Sequence, residues 1–88
     1  MRQDEAYFED EDLELIFIAK RLKEAQKIEA LLTEAGIDYM VEPDRYRGGV
    51  LFVRELIGAF FYVAEDETEA ARQVLRNGGF NFKSQVER

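Results

Sequence analysis

Apolar and polar positions along this chain follow two different periods, and the switches between them mark its elements. Leu13-Glu14-Leu15-Ile16-Phe17-Ile18-Ala19 is rich in β-formers and continuously apolar after Glu14. Such a run predicts a first strand covered on at least one face. Leu22, Ala25, Ile28, Leu31, Leu32 and Ala35 then recur at three- and four-residue spacings, with Lys23, Glu24, Lys27, Glu29 and Glu34 on the other side. That spacing predicts an amphipathic helix starting near Arg21, with no capping side chain at its start, and closed by Gly36, which tolerates the left-handed conformation of a helix end.

Ile37, Tyr39 and Val41 next alternate with Asp38, Met40 and Glu42, the period of a strand with one buried face, which Pro43 is expected to stop. Pro43-Asp44-Arg45-Tyr46-Arg47-Gly48-Gly49 reads as a turn or exposed loop. Val50 to Ala64, interrupted by Arg54-Glu55 and Gly58, fits either a hairpin of Val50–Val53 with Ala59–Ala64 or one bent strand bulged at Gly58, with Phe60–Ala64 its best-ordered part. A second helix is expected to be capped by Asp66, with Glu69 three residues on, a stripe of Ala70, Ala71, Val74 and Leu75, and a stop at Asn77-Gly78-Gly79. Phe80 and Phe82 flank Asn81 in an alternation that suits a last edge strand.

The order β-α-β-β-α(-β) defines an α+β chain. The right-handed crossover rule and a split arrangement, with the third strand between the first two, lead to a ferredoxin-like two-layer sandwich with both helices on one face of the sheet. We expect an acidic N-terminal arm at 1–12, one domain at 13–82 and a tail at 83–88.

Composition narrows the chemistry. The 88 residues include no His, Cys or Trp, so thiolate or imidazole metal sites, disulfides and Cys or His catalysis are excluded together. No apolar run approaches the length of a membrane span, and the acidic start is unlike a signal peptide, which leads us to expect a cytoplasmic protein. Of the net charge of −7, residues 1–14 supply most, with seven acids against Arg2. This run reads as a solvated extension or as an interaction arm, the second favoured by Tyr7 and Phe8 within it. An acidic chain does not suit a nucleic-acid backbone. The faint likeness of Arg47–Val53 to an RNA-recognition strand fails because Gly49 stands where an aromatic is needed.

Two groups of residues are candidate sites. Arg45, Tyr46, Arg47, Gly48 and Gly49 combine two guanidiniums, a stacking ring and two glycines, a composition suited to a phosphate or carboxylate; the plainer reading is a glycine turn with solvated arginines. Phe60, Phe61 and Tyr62 exceed what a small core needs if the strand alternates. Phe60 and Tyr62 would share one face and Phe61 and Val63 the other, leaving aromatic surface for a homo-oligomer interface. The acids have neither the spacing of a calcium loop nor a partner for general acid–base work, and Ser84 has no base, so we expect no metal, no cofactor and no enzyme activity.

Taken together, Ile16-Phe17-Ile18-Ala19, the run from Glu24-Ala25 through Leu31-Leu32 to Ala35-Gly36-Ile37, Arg47-Gly48-Gly49, Tyr62-Val63-Ala64-Glu65-Asp66 and Ala70-Ala71-Arg72-Gln73-Val74-Leu75 resemble the small bacterial family described as "putative prokaryotic signal transducing protein" over roughly residues 13–76. The resemblance implies a PII-like, ferredoxin-like shape and a regulatory role, and it brings no catalytic motif. The expected function is therefore a non-catalytic regulatory or interaction module, homo-oligomeric through its open sheet face, with a protein partner or small anion at the Arg45–Gly49 segment. The alternative is a sensor of a nucleotide or amino acid at the subunit interface.

Overall fold

The computed structural model describes residues 1–48 and 54–81. Its elements are β1 (Leu13–Ala19), α1 (Leu22–Glu34), β2 (Met40–Gly48), β3 (Arg54–Ala64) and α2 (Thr68–Asn77), with short 3-10 turns at Glu5–Phe8 and Glu65–Glu67. The sheet is antiparallel in the order β1-β3-β2, so the third strand does lie between the first two. The α+β sandwich expected from the pattern is observed.

The alternation of β3 divides the core. Phe61 and Val63 point toward the helices and, with Ile28 and Leu32 of α1 and Ala71 and Leu75 of α2, form a wholly or almost wholly buried cluster. Phe60 and Tyr62 lie on the other face. The unbroken apolar run of β1 has its reason in a bulge between Leu15 and Phe17. Leu15 faces Tyr62 and Phe17 faces Phe61, so Ile16 is an extra residue, and both Ile16 and Phe17 enter the helix-side core.

Several local expectations are corrected. Pro43 does not stop β2; it sits in the strand opposite Ala59, and 43–48 is strand rather than loop. A proline is tolerated there because β2 is an edge of the sheet, where a missing N–H can face outward. No bulge occurs at Gly58, whose register with Asp44 is continuous with its neighbours on β2. The strand runs unbroken from Arg54, while 49–53 lie outside the described residues. Gly58 serves instead for close approach: a Cβ there would lie 2.9 Å from Ile18 Cγ2, 3.0 Å from Tyr46 Cε1 and 3.1 Å from the Ala19 carbonyl.

Asp66 does not cap α2. It falls within a 3-10 turn, and the helix begins at Thr68, whose buried hydroxyl donates to Glu14 (3.2 Å), which also takes a hydrogen bond from Arg72 (3.1 Å). Gly36 and Gly79 have positive φ, as expected of residues that close α1 and α2. Phe80 is not in a strand; its ring packs edge-to-face on Phe17 at 5.6 Å, and Phe82 lies outside the described residues.

Candidate functional site

The N-terminal segment is docked rather than solvated. Gln3 N–H donates to the Tyr39 carbonyl (2.8 Å) and Tyr39 N–H to the Met1 carbonyl (3.1 Å), a short parallel bridge beside the start of β2. Asp4 caps the first 3-10 turn by accepting from Tyr7 N–H, and this turn delivers Phe8 onto the open sheet face. Phe8, 4% exposed, packs there with Met40 and Ala64 and against Leu13 and Tyr62. Burying one ring outweighs the solvation of the flanking acids, because those acids stay exposed while only the ring turns inward.

Asp38 anchors the same segment. It accepts from the Tyr7 hydroxyl (2.8 Å) and the Gln3 amide (3.4 Å) and pairs with the Met1 ammonium (3.4 Å). The Tyr7 hydrogen bond above all holds the Asp38 carboxyl below the usual aspartate range, and the same bond pushes the Tyr7 phenol up. Glu29 of α1 is a second anchor, accepting from the Tyr39 hydroxyl (2.8 Å) and lying 3.8 Å from Arg2. Burial is the main cause that raises the Tyr39 phenol. The Tyr62 phenol is raised by burial too, then by Glu42 and Asp44. Among the described residues these four perturbed groups thus have structural neighbours that account for them.

The residues singled out in the sequence do not gather at one point. Within β2, Arg45 and Arg47 share the helix-side face with Ile57 and Glu55, whereas Tyr46 and Gly48 lie on the other. Arg45 pairs with Glu55 at 3.3 Å, Tyr46 lies beneath the Lys20 ammonium at 5.6 Å from its ring centre, and Gly49 is outside the described residues. Phe61 is 0% exposed between sheet and helices and so is out of reach of any partner. Phe60 is buried as well, and Tyr62 is half-buried beside Phe8.

Exposed apolar surface lies elsewhere. Among the described residues the exposed large hydrophobics are Met1, Tyr7, Leu22 and Ile57. Leu22 (74% exposed) and Ile57 (70%) both line a groove of about 270 Å³ between the start of α1 and the β2–β3 ribbon. Val41, Pro43 and Ala59 contribute to its wall, together with Arg2 and Arg21. Arg21 is the N-cap of α1 and offers no side-chain acceptor to the first turn, while Glu24 reaches back to the Lys20 N–H (2.9 Å). Sequence periodicity assigned Leu22 to the core stripe; it misses because α1 begins there, past the edge of the sheet that Ala25 and Ile28 cover. The signal that could have found the groove was the exposed Leu beside Lys20-Arg21, a basic and apolar junction.

Among the described residues no three carboxylates converge as a metal site, and no helix is long and apolar enough to cross a membrane. Compared with known families, residues 13–79 match the family model described as "Putative prokaryotic signal transducing protein". Neither a curated protein nor a solved structure matches the chain.

Proposed function

This chain belongs to the family described as putative prokaryotic signal transducing proteins, and on that premise we propose that it is a non-catalytic regulatory module that works by protein association. The observation that carries this reading is the pairing of Leu22 and Ile57 across the groove, exposed beside arginines. Large aliphatic side chains left in water at one place favour a partner surface. With Leu22 74% and Ile57 70% exposed, covering both contributes roughly 2–4 kcal/mol, no more than the low end of the 4–15 kcal/mol cost of association. The contact alone is therefore weak and reversible, as suits signalling, and charged groups around it set its strength.

A different class of function, a sensor of a small anion, is favoured by Arg21 and Arg47, for which no carboxylate partner is present among the described residues. The two readings separate in one pair of measurements. Thermal unfolding is followed with and without a panel of nucleotides and amino acids, and assembly is followed by native mass spectrometry for the wild type and Ile57→Glu. An association module keeps its midpoint with every metabolite and loses assembly in Ile57→Glu. A midpoint that rises with one metabolite, and no longer rises in Arg47→Ala, would replace association with sensing.

A further inference from the structure

The groove and the acidic arm are complementary surfaces of the same chain. Arg2, Lys20 and Arg21 line the groove, and Arg45 and Arg47 stand beyond it on the same face of the ribbon as Ile57, with Glu55 engaged by Arg45 and Glu29 by Arg2. Arg21 and Arg47 make no ion pair among the described residues. This basic stretch stands out on a chain of net charge −7. The arm offers the converse: Glu5, Glu9, Asp10, Glu11 and Asp12 are exposed without a basic partner among the described residues. In their midst Tyr7, 52% exposed, is a ready apolar anchor for Leu22 and Ile57.

A chain cannot satisfy its own groove with these acids. Phe8 holds the arm on the open face of the sheet, opposite the helix-side face to which Ile57 belongs. The arm nevertheless starts at the groove's own wall, since Arg2 lines it. Glu9 to Asp12 lead from there into β1, the edge of the sheet opposite β2, so they are left for the groove of a second copy, and two copies can exchange the same contact about a twofold axis.

We infer that the groove receives the acidic arm of a second copy of this chain, and that the exchange is reciprocal, closing a dimer with two arm-to-groove contacts. This rests on the association reading above and names its partner. Doubling the contact answers the weakness of a single one, and attraction between the charges makes the dimer sensitive to salt.

A charge swap tests it. Arg21→Glu/Arg47→Glu reverses the two cations without an ion pair on the groove side, and Glu9→Lys/Asp10→Lys reverses two acids of the arm. Sedimentation equilibrium of each double variant alone should show self-association weakened about tenfold or more, the cost of opposing two rim charges in each contact. Mixed in equal amounts, the two should form a heterodimer, because the reversed charges of one arm then meet the reversed charges of the other groove while the second contact stays as in the wild type; this recovery also shows that both are folded. The wild-type dimer should weaken as salt is raised. A wild type that stays monomeric at the highest concentration overturns the inference. So does a mixture that stays monomeric while both variants keep the wild-type melting curve, or assembly that neither double variant disturbs. Ile57→Glu distinguishes the levels: if it abolishes wild-type assembly while the swap fails, the groove reading stands and the arm is not its occupant. If it leaves assembly intact, both fall.

Discussion

Replacing Phe8 by Ala tests whether the acidic segment is part of the folded unit. The ring is 4% exposed and lies on Met40 and Ala64, flanked by Leu13 and Tyr62. A buried Phe covers about 150–250 Å², of which truncation gives up roughly 100–150 Å² if the Ala methyl stays covered; at about 25 cal/mol per Å² this is roughly 2.5–4 kcal/mol. That figure is a ceiling. Phe8 sits on a peripheral arm, so the mutant can release the arm rather than keep a sealed cavity, and the loss cannot exceed the free energy of docking the arm. We expect about 2 kcal/mol. For a domain of this size each kcal/mol moves the melting midpoint by about 4–8 °C, giving a fall of roughly 8–16 °C in a circular dichroism melt. Exchange of the Gln3 and Tyr39 amides, which hold the bridge to the arm, should accelerate in parallel. A fall smaller than about 3 °C, the range of an ordinary surface substitution, would refute the packing assigned to Phe8.

Further expectations follow from the contacts around the sheet. Asp38 has a lowered folded-state pKa, so its share of stability is complete above the ordinary aspartate value and is lost as pH falls through the depressed one. Acid titration of the wild type should thus show arm release by amide exchange at Gln3, and Asp38→Asn should weaken the arm at neutral pH and flatten that dependence. Gly58→Ala should lower the urea midpoint by the equivalent of about 1–3 kcal/mol, because the new methyl meets Ile18, Tyr46 and the Ala19 carbonyl. An unchanged midpoint would mean that the two side chains give way freely. Glu14→Ala removes the acceptor of the buried Thr68 hydroxyl and the partner of Arg72, with an expected loss of about 1–2 kcal/mol. Glu14→Ala combined with Thr68→Val should cost less than the sum of the two single changes.

What the sequence discloses and what it hides have physical reasons. β1, α1 and the parity of Phe60 to Val63 are legible because each is written in contiguous residues at a fixed period, and Gly36 marks its turn by chemistry. Pro43 misleads because a proline's effect depends on whether its strand is an edge, which is set by the distant partner β3. Asp66 misleads because a 3-10 turn precedes the helix proper, and the contact of Thr68 with Glu14 at the start of that helix spans more than fifty positions. The candidate site was half legible. Arg45 and Arg47 were noticed, yet strand alternation sends them to the face opposite Tyr46 and Gly48. Periodicity places Leu22 in the core stripe and gives Ile57 no role, because exposure of an apolar side chain is a property of the assembled surface. Phe8 is the same case reversed: nothing near it in sequence tells of Met40 or Tyr62.

The strand order also bears on how the protein is made. Both outer strands take their ladder from β3, the last strand of the described sheet, so β1 and β2 have no partner in each other. On the ribosome the first half of the chain emerges with α1, the apolar strand sequence of β1 and the mostly polar one of β2, both of which must wait for Arg54–Ala64. During that interval the nascent segment is a hazard, since unpaired strand edges invite association with other chains. The acids that precede β1 leave the ribosome before it, and their mutual repulsion between neighbouring nascent chains keeps those segments apart until β3 arrives. A fragment ending before Arg54 should accordingly be insoluble, and one extended through Ala64 should recover.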